Sequence, residues 1–116
     1  MPKRKLDPLP PAAFQILLSL AGEDLHGYGI MRQVAHQTGG RMRLGPGTLY
    51  SSIQSLLEEK LIEEINPNDA KDAEQDRRRV YRLSAAGRKL ARNEAERLAD
   101  LLRVARAKNI LRGDYV

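Results

Sequence analysis

A chain of 116 residues is one domain's worth of polypeptide, and 41% apolar with 30% charged residues describes a soluble folded chain, which argues against a multi-domain enzyme and against disorder. With no cysteine and two histidines, disulfides, thiolate metal sites and a cysteine nucleophile drop out, and neither a metal nor a cofactor is expected. No apolar run reaches the roughly 18 to 20 residues of a membrane span, Met1-Pro2-Lys3-Arg4-Lys5 leads into Asp7-Pro8 instead of a signal core, and a cytoplasmic chain of net charge +5 is expected to meet a polyanion rather than a membrane.

Pro10 and Pro11 precede the apolar stretch Ala12 to Ala21, and proline is tolerated in a first helical turn, so a first helix is predicted from about Pro10 to Ala21. Gly22-Glu23-Asp24 reads as a turn. Tyr28, Ile30, Met31 and Val34 then recur at near-helical spacing, which predicts a short second helix stopped by Gly39-Gly40. A basic connector, Arg41 to Leu44, leads into Gly45-Pro46-Gly47-Thr48, and from Leu49 the apolar residues Leu49, Ile53, Leu56 and Leu57 fall on one face of a third helix. The stretches Leu61–Ile65 and Arg79–Leu83 flank a polar loop and predict a two-stranded hairpin with a long tip. Ser84 is an N-cap candidate for a fourth, long helix that meets no turn signal before Gly113.

The order helix, helix, helix, hairpin, long helix is that of a winged helix-turn-helix: mainly α with a small β-hairpin. Residues 1–83 are expected to form the DNA-binding part and 84–116 a C-terminal dimerisation helix, within one compact unit. Two features point to double-stranded DNA. The third helix turns Thr48, Ser51, Gln54 and Ser55 away from its apolar face, and small neutral hydrogen-bonding groups can approach phosphates and base edges closely. Arg77-Arg78-Arg79 stands at the base of the wing, where a hairpin along a duplex meets the backbone. Pro46 and Gly47 belong to the same surface, because unpaired N–H groups at a helix start attract a phosphate.

From Ser84 to Arg112 a helix would be roughly 42 Å long at 1.5 Å per residue, against a radius of gyration of about 13 Å for a compact domain of this size. Ala91, Ala95, Leu98, Leu102, Ala105 and Asn109 alternate by three and four residues along it, and Leu90, Leu101 and Ile110 widen the stripe. Such a stripe needs a cover, and a second copy supplies it, so a homodimer is expected through Leu90, Ala91, Ala95, Leu98, Leu101, Leu102 and Ala105, with Phe14 of the first helix added.

Four segments are then familiar together: Leu25-His26-Gly27-Tyr28-Gly29-Ile30, Gly45-Pro46-Gly47-Thr48-Leu49-Tyr50, Leu56 with Leu61-Ile62, and Arg78 through Gly87. In this order and spacing the chain resembles the PadR family of bacterial transcriptional regulators, over Leu9 to roughly Leu102. The resemblance implies a winged helix-turn-helix dimer that represses transcription and, in many members, leaves DNA on binding a small molecule. It also implies that Tyr28, the Thr48 to Tyr50 segment and the wing arginines face DNA, and that the last helix pairs with its mate. The chain is similar to the short branch of the family, without an added effector domain.

Each signal has a plainer reading. His26 and His36 are ten residues apart without a cluster of acids, which fits a capping or surface histidine better than a metal site. Gly45-Pro46-Gly47-Thr48 lacks the lysine and preceding strand of a nucleotide-binding loop. Tyr28 and Tyr50 could be core rings with a wet hydroxyl. Asp69, Asp72, Glu74 and Asp76 against Lys71 make the wing tip acidic, so the wing contact is confined to Arg77, Arg78 and Arg79. The bases of the fourth helix fit a solvated face flanking a seam. An enzyme is disfavoured, since no nucleophile stands near a base. The alternative is a winged-helix adaptor for proteins, without sequence-specific DNA binding. A small-molecule effector is expected, but the protein should bind planar aromatic molecules poorly, because the chain has no tryptophan and one phenylalanine, and the lining expected is the Phe14 region with Leu98 to Leu102.

Overall fold

The computed structural model of the chain describes Leu6 and residues 8–65 and 79–112. Helix α1 spans Pro11–Gly22; Pro10, with extended backbone, is its N-cap and Pro11 its first residue, as a proline pair before an apolar stretch requires. It is the central element, packing on two other helices, the long C-terminal helix and the sheet, and it buries Ala13, Phe14, Ile16, Leu17 and Leu20. Its one buried polar residue, Ser19, donates from Oγ to the Ile16 carbonyl at 2.6 Å, which keeps the hydroxyl satisfied in the core.

A two-residue strand β1, Leu25–His26, leads directly into α2, Gly27–Gln37, where the His26 Nδ1 accepts the Gly29 N–H at 3.0 Å as the N-cap. Helix α3 spans Pro46–Glu58, with Gly45 as its cap and Pro46 in its first turn, as expected of the proline there. Strands β2, Ile62–Ile65, and β3, Val80–Leu83, pair antiparallel with Ile62 opposite Leu83 and Ile65 opposite Val80. The last helix α4 spans Ala85–Ala107.

The mainly α architecture with a small sheet is as expected, and the differences have local causes. The sheet has three strands, ordered β1-β3-β2, instead of two. Leu25 faces Tyr81 and His26 faces Val80 across the sheet, a pairing of residues over fifty positions apart that periodicity along the chain cannot reveal. Helix α4 stops at Ala107, short of the predicted Arg112, because Asn109 adopts φ 63°. The Ile110 N–H then donates to the Ala105 carbonyl and the Asn109 N–H to Arg106, which closes the helix in a Schellman motif. The same closure ends α2 at Gly39 and α3 at Lys60, whose φ of 61° sends Leu61 back over Leu56.

The start of α4 is tied to the end of α3. Ser84 caps α4 by accepting the Gly87 N–H at 3.0 Å on Oγ, while the same hydroxyl donates to the Lys60 carbonyl at 2.9 Å. Gly87 then passes so close to the Leu61 carbonyl that a Cβ would stand 2.0 Å from its oxygen. Beyond this anchor α4 leaves the domain: its fully buried residues are Gly87 and Ala91, Leu90 and Leu98 are half-buried against the core, and Leu101, Leu102 and Val104 are exposed. The radius of gyration is 16.0 Å, above the roughly 13 Å of a compact chain of this length. No helix among the described residues is long and apolar enough to cross a membrane.

Candidate nucleic-acid interface

The apolar face of α3 is consumed by the core, since Leu49, Ile53 and Leu56 are at most 2% exposed. That anchorage decides what the opposite side presents. Pro46, Gly47 and Thr48 of the first turn are exposed, as are Tyr50, Ser51 and Gln54, while Ser55 is half-buried at the edge of the face. No residue in this set carries a formal charge, and Gln54 Nε2 donates to Glu58 Oε2 at 3.4 Å at the far end of the helix.

The N-terminus of α2 adjoins this face. Tyr50, half of whose surface is exposed, lays its ring against Gly27, where a Cβ would come within 2.6 Å of the hydroxyl. Glycine at 27 is therefore what lets the two helices meet here. The neighbouring Tyr28 is 61% exposed, and the Arg32 guanidinium carbon lies 5.8 Å from its ring centre. Both tyrosines thus present their rings to solvent instead of filling the core. Among the described tyrosines Tyr81 is the buried one, and burial first, then the Glu64 carboxylate, raises its pKa above the ordinary 10.0 against the opposing charge of Arg79.

Of the three wing arginines, Arg77 and Arg78 lie outside the described residues, as does the acidic tip with Asp69, Asp72, Glu74 and Asp76. Arg79 stands exposed just before β3, its Nε 3.6 Å from Glu64 Oε2. A pair this exposed contributes at most about 1 kcal/mol, so a phosphate could draw the guanidinium away.

The residues expected at a seam between copies fall into two groups. Phe14 and Ala91 are buried in the chain's own core, and Leu90 and Leu98 pack partly against it. Ala95, Leu101 and Leu102 are exposed and Ala105 is half-buried, on the part of α4 that projects. The own-core packing of the first group was hidden from the linear pattern, because a periodic stripe shows which residues share a side and not what lies against them. Arg32, one four-residue step from Tyr28 on the same helix, was not among the residues singled out from the sequence.

The model of the transcriptional regulator PadR-like family matches residues 16–93. A 37.1 kDa protein of transposon TN4556 from Streptomyces fradiae is 34% identical over 90 residues, covering 78% of this chain; the chain spans only 24% of that relative. Among solved structures, a PadR family transcription regulator from Clostridium difficile superposes with a TM-score of 0.70 at 21% identity, over 84% of this chain and 97% of the other. A transcriptional regulator from Clostridium thermocellum gives 0.68 at 23%, over 83% and 87%. Bacillus subtilis PadR, solved in complex with operator DNA, gives 0.63 at 18%, over 76% and 48%.

Proposed function

The chain belongs to the PadR-like family of transcriptional regulators, and from that premise we propose that it is a cytoplasmic homodimeric repressor that binds double-stranded DNA and is released by a small-molecule effector. The observation that carries the DNA part is the outer face of α3. A surface helix normally carries Lys and Glu on its wet side, yet here Thr48, Tyr50, Ser51 and Gln54 offer hydroxyls and an amide, groups that accept and donate at base edges without the wrong sign of charge. Pro46 and Gly47 bring the first turn to a phosphate, Ser55 borders the face, and Tyr28 with Arg77, Arg78 and Arg79 contact the backbone on either side. The operator complex of Bacillus subtilis PadR supports this assignment by its fold likeness.

Residues 1–83 act as the reader and 84–116 as the dimerisation helix. The second copy covers Ala95, Leu101, Leu102 and Ala105, which leaves Leu90, Ala91, Leu98 and Phe14 to brace the helix from inside its own domain. Selection from a randomised duplex library tests the reading: a palindromic site with half-sites about one helical turn apart is expected. Enrichment of no sequence would favour a protein adaptor instead. Transcription of a reporter placed behind the selected site should fall when the protein is added, and a rise would make the chain an activator.

A further inference from the structure

Tyr28, Arg32 and His36 follow one another at four-residue steps along α2, and all three are exposed. They form a stripe on the side away from the buried Ile30 and Val34. Arg32 lies over the Tyr28 ring at 5.8 Å, within the range of a cation–π contact. Arg79, Arg82, Arg97 and Arg103 each have a carboxylate in ion-pair range, whereas Arg32, like Arg41, Arg43 and Arg92, has none among the described residues and differs from those in lying over a ring. Its charge is thus held in place by an uncharged platform and left uncompensated. The Tyr28 end of the stripe lies next to α3, because the Tyr50 ring rests on Gly27, the residue before Tyr28.

We propose that Arg32 is a phosphate-binding residue of the DNA interface and that the ring of Tyr28 positions it. The inference rests on α3 being the helix that enters the groove, since in a helix-turn-helix the preceding helix crosses the sugar-phosphate backbone. An arginine suits that place: its planar fork spans two phosphate oxygens, and stacking on an aromatic face restricts the stem before the phosphate arrives. Tyr28 and Arg32 act as one unit, so the value of the cation depends on the ring beneath it.

Salt-dependent affinities by fluorescence anisotropy test this on a duplex selected by the wild-type chain and on one of mixed sequence. Arg32→Gln is expected to weaken both by about tenfold at low salt and to lower the slope of log affinity against log salt by about one unit. The effect of Arg32→Gln should persist in full when Tyr28 is Phe and shrink when Tyr28 is Leu. An unchanged slope, or a changed base preference at one position, overturns the phosphate assignment; equal effects in the Phe and Leu backgrounds overturn the positioning role. If the wild-type chain selects no duplex, the DNA reading itself fails. Selection by the wild type with an indifferent Arg32→Gln variant removes only this inference.

Discussion

At position 87 a single methyl group would strike the Leu61 carbonyl oxygen at 2.0 Å and the Leu83 side chain at 2.8 Å, and neither β2's approach nor the Ser84 cap leaves room to retreat. Gly87→Ala is therefore expected to cost about 3 kcal/mol in urea unfolding, the upper range for overpacking. Lys60 presents the reverse case. It holds φ 61° at the end of α3 with a side chain that is exposed, so Lys60→Gly should stabilise the chain by about 0.5–1 kcal/mol by removing the steric cost of the left-handed conformation. Tyr81 sets an alkaline limit. Its folded pKa is raised by burial, so the folded chain holds the phenolic proton after the unfolded chain has released it. The stability from this group is complete below the unfolded value near pH 10 and is lost as pH rises through the folded one. Tyr81→Phe should remove that part of the alkaline decline, read as unfolding free energy against pH.

Among the elements, α3 separates folding from recognition by face. Ser51→Glu with Gln54→Glu places two carboxylates on exposed positions, and the Leu49, Ile53 and Leu56 contacts remain. Circular dichroism should stay native while binding of the selected duplex is lost, since carboxylates repel phosphates; a folded double variant that still binds removes α3 from the proposed interface. Helix α4 divides along its length instead. Its first half is pinned by Ser84, Gly87 and Ala91, and its second half carries Leu101 at 51% and Leu102 at 37% exposure. Leu101→Asp with Leu102→Asp should spare the monomer fold and abolish dimers in sedimentation, because each buried charge costs several kcal/mol. A variant still dimeric at micromolar concentration would place the seam elsewhere. The exposed pairs Arg97 with Glu94 and Arg103 with Asp100 lie along the same helix and give it solubility more than stability.

For the molecule as a whole, the distribution of aromatic rings bears on the effector. Phe14 and Tyr81 are buried, and the exposed rings of Tyr28 and Tyr50 sit at the seam of α2 and α3, remote in function from the projecting half of α4. Among the described residues a cavity between copies would be lined by Leu and Ala, and planar dyes or phenolic acids are expected not to release DNA at low micromolar concentration in a titration of the bound complex. The sequence by itself determined the four helices, the wing strands, the N-cap at Ser84 and the neutral outer face of α3, because each depends on side-chain periodicity or on a cap within a few residues. For His26 the sequence left a cap and a bare surface position open, and the structure decided for the cap. Only the tertiary structure decided that Leu25–His26 forms a third strand, that Phe14 and Ala91 face inward, that Gly27 and Gly87 are contact points, and that Arg32 rests on Tyr28. Each of these is a choice of neighbour, and a helical stripe states which residues share a side but not whether its cover is the chain's own core or another molecule.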